Sequence, residues 1–207
     1  MGMGIAILGV LAISQTAVIV SGGLDISVGS IVGLTTVAVA STIQATEMAG
    51  MGIVAGVFVG AMAGLVNGII ITYGRVNAVI VTLGTMAIFR GIAFIISNGQ
   101  SISIFNDSFR VIGIGRFLGV PFPIWILVAT AVVFQIFLAQ STIGRNFYAI
   151  GGNPVVAKFA GINLNRYRVG IDAMSGAVAG IGGVLLAART GSGHPVSGSQ
   201  GLELEAI

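Results

Sequence analysis

The chain has 207 residues, of which 56% are hydrophobic and only 7% charged, with a net charge of +3; a soluble domain carries roughly a quarter charged residues. So few charges cannot cover a water-facing surface. The apolar runs are long, which excludes the short alternating strands of a membrane barrel, and an open sheet would leave backbone groups unpaired in lipid. The expected fold class is all-α: a single transmembrane helix-bundle domain over residues 1–207 with about six membrane segments.

The same composition excludes several chemistries. There is no cysteine and one histidine, His194, so thiolate metal sites, disulfides and multi-histidine centres are all ruled out and no metal is expected. The basic residues are scattered through loops instead of gathered into a patch, which argues against a nucleic-acid partner and for loops beside lipid headgroups. The N-terminus lacks a basic leader and a cleavage site, so the first apolar segment is expected to stay in the protein.

In chain order, the first apolar stretch, 5–43, is too long for one span and is interrupted by Ser21-Gly22-Gly23-Leu24-Asp25-Ile26-Ser27-Val28-Gly29-Ser30. It reads as two short segments flanking a break. A carboxylate there is costly unless it meets water, a donor or a positive partner. Asp25 or Ser27 is expected to cap a helix starting near Ile26; alternatively, the break lines a translocation cavity. The two readings are compatible. Asp25, Ser27, Ser30 and Asn67 are the candidate path residues.

The next spans are expected at 53–72, 77–96, 124–140 and 171–188. Gly52, Gly56, Gly60, Gly64 and Gly68 recur every fourth residue, leaving one helix stripe without side chains, so another backbone can approach closely. Packing within the chain and a homodimer seam both fit that stripe. Asn77, Thr82 and Arg90 are further polar groups in or beside spans, and Arg90 is expected to reach for the interface. Loop 141–170 carries Arg145, Lys158, Arg166 and Arg168 without an acid, which places it in the cytoplasm by the positive-inside rule. Alternation puts turn 73–76 on the same side, and turn 44–50 and loop 97–123 on the outer side.

Within the basic loop, Asn153, Pro154 and Gly161 supply an N-cap, a first-turn proline and a C′ glycine, so a short, deliberately terminated helix is expected there. His194, in Gly191-Ser192-Gly193-His194-Pro195, reads as a loop residue.

Several ordered motifs resemble the permease subunits of ribose-type ABC sugar importers, within the branched-chain amino acid/ribose permease superfamily. They are the Ser21–Ser30 segment, Gly74-Arg75-Val76-Asn77 leading to Arg90-Gly91, Gly119-Val120-Pro121-Phe122-Pro123-Ile124-Trp125, and Gly144-Arg145-Asn146-Phe147-Tyr148-Ala149-Ile150-Gly151-Gly152-Asn153. Ala160-Gly161-Ile162-Asn163 and the closing Leu202-Glu203-Leu204-Glu205-Ala206-Ile207 continue the match. The resemblance implies an inner-membrane permease moving a monosaccharide by alternating access, with a second permease subunit, an extracytoplasmic sugar-binding protein and a cytoplasmic ABC ATPase as partners. It also implies that the chain is truncated at both ends and that the 153–161 helix is the coupling helix, with Asn153, Pro154, Lys158, Phe159 and Gly161 as its ATPase-coupling residues. Pro154, Val155 and Val156 stand where related permeases carry an acid and an alanine, which leaves Phe159 and its apolar neighbours as the plug for a groove in the ATPase.

The chain has no phosphate-binding Gly-Lys-Ser/Thr motif and no nucleophile-base arrangement, so it is expected to be a non-enzyme that binds no cofactor, with ATP used by the partner. A secondary transporter using Asp25 for ion coupling is the alternative.

Overall fold

The computed structural model describes residues 2–197. The closing motif, Leu202 to Ile207, lies outside the described residues. Helices dominate, in the order α1 (Gly2–Val20), α2 (Val28–Thr46), α3 (Ala49–Gly74), α4 (Ala78–Ser97), α5 (Asp107–Ile114), α6 (Phe122–Gln140), α7 (Thr142–Gly152), α8 (Pro154–Phe159) and α9 (Leu164–Thr190). Four two-residue strands among the described residues form two ladders: β1 (Ile102–Ser103) pairs antiparallel with β4 (Ser192–Gly193), and β2 (Arg116–Phe117) with β3 (Val120–Pro121). Among the described residues, five helices (α2, α3, α4, α6 and α9) are long and apolar enough to cross a membrane, and α1 adds a shorter apolar segment. The all-α expectation and its segment count agree with this architecture.

The stretch 5–43 departs from expectation. Each of its two helices has 19 residues, about 28 Å at 1.5 Å per residue. Leu11 of α1 lies against Gly182, and Gly4 near Arg189, so α1 runs antiparallel to α9. Thr35 lies against Gly183, while Thr36 and Ala40 flank Gly193, so α2 runs parallel to α9. The break is therefore a corner between two oppositely directed helices, not a gap inside one span. Glycine permits that corner: Gly22 has φ +82, a conformation L side chains resist.

α9 forms the spine, and its glycines meet those of α3. A Cβ on Gly60 would lie 2.8 Å from Gly180 Cα, and one on Gly68 would lie 2.9 Å from Val169 Cα. At Gly64 it would overlap the Asp172 carbonyl oxygen. Gly52 and Gly56 instead receive Ile43, Val39 and Thr35 of α2, with Val184 of α9 also against Gly56. Two backbones can approach this closely only where side chains are absent, and the resulting dispersion attraction replaces a hydrophobic drive that lipid does not supply. The stripe is filled from within the chain, which decides against the homodimer seam at these five positions.

α2 is the most enclosed span, with Val28, Ile31, Val32, Val37, Val39 and Ala40 all fully buried among α3, α4 and α9. α3, α4 and α6 instead expose apolar rows such as Val54, Phe58, Ile80, Ile95 and Val133, as expected of lipid-facing walls.

The relative sides of the loops agree with the alternation read from charge. A cavity joins Thr72–Arg75 to Lys158 and Ile162–Asn165 at one face, the basic face, and another joins Ile43–Glu47 to Ser103–Ser108 at the other. The last span starts earlier than expected, at Leu164 instead of 171, because Asn163 caps it by accepting from Arg166 N. Loop 141–170 also holds the additional helix α7, and loop 97–123 holds α5.

Beyond α9 the chain turns back inward. His194 N–H donates to Thr36 Oγ1 at 3.3 Å, and that hydroxyl's one proton is shared between Gly33 O at 2.8 Å and His194 O at 3.2 Å. Thr36 sits mid-way along α2, so this irregular backbone is satisfied at depth by protein groups.

Candidate functional site: a buried polar knot and an exposed short helix

Two places concentrate the candidate residues. The first is the corner between α1 and α2. Asp25 Oδ1 accepts from Ser27 N at 2.8 Å and from Ser27 Oγ at 2.6 Å. Ser27 Oγ in turn accepts from Asn67 Nδ2 of α3 at 2.8 Å, and Ser30 Oγ donates to Ser27 O at 2.7 Å. All four candidate path residues thus meet in one network, and Asp25 is only 3% exposed.

The capping expectation is corrected in detail. α2 begins at Val28, with Ser27 at the N-cap but making no side-chain cap bond. Asp25 instead closes an Asx turn onto Ser27 N, two residues on, which fixes the entry to the helix without accepting from inside it. The carboxylate is made tolerable by donors, as a buried charge requires.

Two members of this neighbourhood are not among the sequence candidates. Gln15 of α1, 1% exposed, donates through Nε2 to Asp25 O at 2.9 Å, tying the first helix to the knot. Asp172 of α9 stands opposite Gly68, the residue after Asn67, within electrostatic range of both Asp25 and Arg168. A carboxylate inside the 171–188 apolar run, four residues after Arg168, is the signal for it in the sequence. Beside the knot lies a cavity of about 130 Å³ bounded by Ser21–Leu24, Ile71, Arg168 and Asp172, not by the four path candidates.

The second place is α8. Asn153 Oδ1 accepts from Val155 N at 3.0 Å and Val156 N at 3.1 Å, and Pro154 occupies the first turn. At the other end Ile162 N donates to Ala157 O and Gly161 N to Lys158 O, with Gly161 at φ +83. That is a Schellman stop with glycine at C′. Only Ala157 of the helix is buried; Val155 and Val156 are exposed, and Phe159 is 89% exposed. Val155, Val156 and Phe159 fall at i, i+1 and i+4, so they share a face. Lys158 is exposed beside them.

The other polar candidates have local roles. Asn77 caps α4 by accepting from Val79 N, Thr82 donates back to Ala78 O, and Arg90 is half-buried. Among the described residues there is no group of three or more His, Asp or Glu placed to hold a metal.

Comparison with known proteins gives this geometry its context. Residues 3–207 match the family described as "Branched-chain amino acid transport system / permease component". The chain is 40% identical over 207 residues to the L-arabinose transport system permease protein AraH of Escherichia coli, covering 100% of this chain and 63% of the relative. It is 39% identical over 205 residues to the L-arabinose ABC transporter permease protein AraH of Azospirillum brasilense, covering 99% and 60%. The ribose import permease protein RbsC of Escherichia coli is 36% identical over 202 residues, covering 96% and 63%. The chain thus spans about three fifths of the length of these relatives. No solved structure matches it. With its apolar spans and a family match from residue 3 to residue 207, the chain belongs to the branched-chain amino acid transport system permease component family, as a multi-pass protein of the inner membrane.

Proposed function

We propose that the chain forms the core of the permease subunit of an ABC importer that carries a monosaccharide of the pentose class into the cytoplasm. The observation that carries this reading is α8: a helix capped at both ends, held off the bundle and presenting Phe159 almost wholly to solvent, in a chain 36 to 40% identical to permeases named for ribose and L-arabinose. An exposed aromatic on a rigid short helix is a knob in need of a socket. In this reading the socket is a groove in a cytoplasmic ABC ATPase.

The permease supplies a path and no reaction, and ATP is hydrolysed by the partner. A second permease subunit completes the path, and an extracytoplasmic sugar-binding protein delivers the substrate. With the glycine stripe filled by α2 and α9, the subunit interface falls elsewhere than on that stripe. Closure of the ATPases pushes α8, and α9, starting at Leu164 a few residues beyond it, passes the movement to the α3–α9 seam and the Asp25 knot. The knot then serves as the joint of α1, α2 and α3 beside the path, and Ser27, Ser30 and Asn67 hold that joint by hydrogen bonds. Sugars are neutral, so such a path needs modest polarity and not a strong counter-charge.

Uptake of labelled L-arabinose and ribose by the full-length protein, co-expressed with its ATPase and binding protein, tests this. ATP-dependent accumulation of either pentose supports the reading. Uptake that persists without the ATPase contradicts it.

A further inference from the structure

At the basic face, a concavity of about 420 Å³ lies between the end of α3, the start of α9 and α8, bounded by Thr72, Tyr73, Arg75, Lys158, Asn163 and Asn165 among others. Its charge is of one sign. Arg75 and Lys158 are exposed and have no acidic partner among the described residues, and no acid lines the space. Leu164 and Asn165, also in the lining, open a helix of 27 residues, whose first N–H groups have no intrahelical acceptor and carry the positive end of its dipole. Asn163 spends its side-chain oxygen on Arg166 N, leaving the N–H groups of the first two residues to an outside acceptor. Thr72 closes the floor of the same space, its hydroxyl fully buried beneath it.

Two cations and a long helix's N-terminus converging on one space that no acid lines describe an anion site, and their donors suit a phosphate. The surroundings point to where that phosphate comes from. Tyr73 stands exposed at the rim, the position of an interfacial aromatic. Along α3 above it, Ile70, Ile69 and Val66 are exposed and lead onto the lipid-facing wall.

We propose that this concavity binds the phosphate of an anionic phospholipid of the cytoplasmic leaflet, with the acyl chains running along Ile70, Ile69 and Val66. Because Lys158 belongs to α8 and Asn163 caps α9, the bound headgroup cross-links the short helix to the spine of the bundle. The site shares Lys158 with the coupling helix of the transport reading, and its readout is lipid contact instead of uptake.

The test uses the full-length protein with every native tryptophan, Trp125 among them, replaced by Phe, and with Tyr73→Trp as reporter at the rim. It is reconstituted in phosphatidylcholine vesicles containing either dibrominated phosphatidylglycerol or dibrominated phosphatidylcholine. Bromine quenching of the reporter's fluorescence is expected to show a preference for phosphatidylglycerol of roughly thirty-fold, the scale set by two cations at a membrane surface. Arg75→Asn with Lys158→Gln should abolish it; Asn suits the left-handed backbone that Arg75 adopts at φ 54. Lys158→Arg should keep it. Equal quenching by the two lipids, or a preference that survives the double substitution, overturns the site. Displacement of the brominated lipid by millimolar inorganic phosphate overturns the lipid as source and assigns the site to a soluble phosphate. Loss of ATPase docking in the double variant without any lipid preference assigns the two cations to the protein partner and likewise overturns it.

Discussion

Asn67 of α3 donates to Ser27 Oγ at 2.8 Å, and that same hydroxyl donates to Asp25 Oδ1 at 2.6 Å. A chain of two bonds thus links the middle span to the corner between the first two helices. Each member is almost fully buried, so each bond lost leaves a polar group unpaired.

Ser27→Ala removes the hydroxyl that serves both neighbours, leaving Asn67 without its acceptor and Asp25 with one donor fewer. The expected loss is about 2 kcal/mol, read as a lower melting temperature of the detergent-purified protein. Asp25→Asn, which can still accept from Ser27 N, should lose less. A Ser27→Ala protein that melts with wild type would show that the knot holds nothing.

The glycines of the bundle divide sharply by what they face. Gly64→Ala places a methyl onto the Asp172 carbonyl oxygen and should separate α3 from α9, at a cost of roughly 1–3 kcal/mol or more. Gly84→Ala and Gly91→Ala on α4 meet no atom within 4 Å and should melt with wild type. Equal thermal shifts in all three variants would contradict the packing assigned to the α3–α9 seam.

Asn153→Ala deletes the acceptor for Val155 and Val156 N–H and should cost about 1 kcal/mol of local stability. Gly161→Ala meets no steric obstacle but must hold φ +83, a strain of roughly 1–2 kcal/mol for an L residue. Both should speed hydrogen exchange in 154–162 while leaving exchange in α3 and α9 unchanged. Global acceleration would mean that α8 is part of the bundle's cooperative core.

How far the sequence carries the structure depends on how local each signal is. Asn153, Pro154 and Gly161 define α8 within nine residues, and every one of those cues acts through a backbone neighbour, so the helix is legible without any partner. The glycine period on α3 announces a close approach, but not to which helix. Gly176 and Gly180 on α9 are legible in the sequence as a similar small-residue surface, but their pairing with the α3 stripe, and the part Val39 of α2 plays, enter only once the chain has folded. The corner at Gly22 to Ser27 is visible as an interruption, yet its sense, a reversal between two full helices, depends on both packing against α9. Asp172 and Gln15 are readable as polar residues in apolar runs and become informative only beside Asp25. The pairing of β4 with β1, and of His194 with Thr36, joins residues far apart in sequence and leaves no local trace.

The central claim, that α8 transmits force from an ATPase, rests on Phe159. Because its ring is 89% exposed, Phe159→Asp should leave the melting temperature of the permease unchanged. In vesicles with the full-length permease, its ATPase and its binding protein, the account predicts that sugar uptake per ATP hydrolysed falls at least about ten-fold, the scale of losing one buried aromatic contact. Uptake and hydrolysis coupled as in wild type would contradict it.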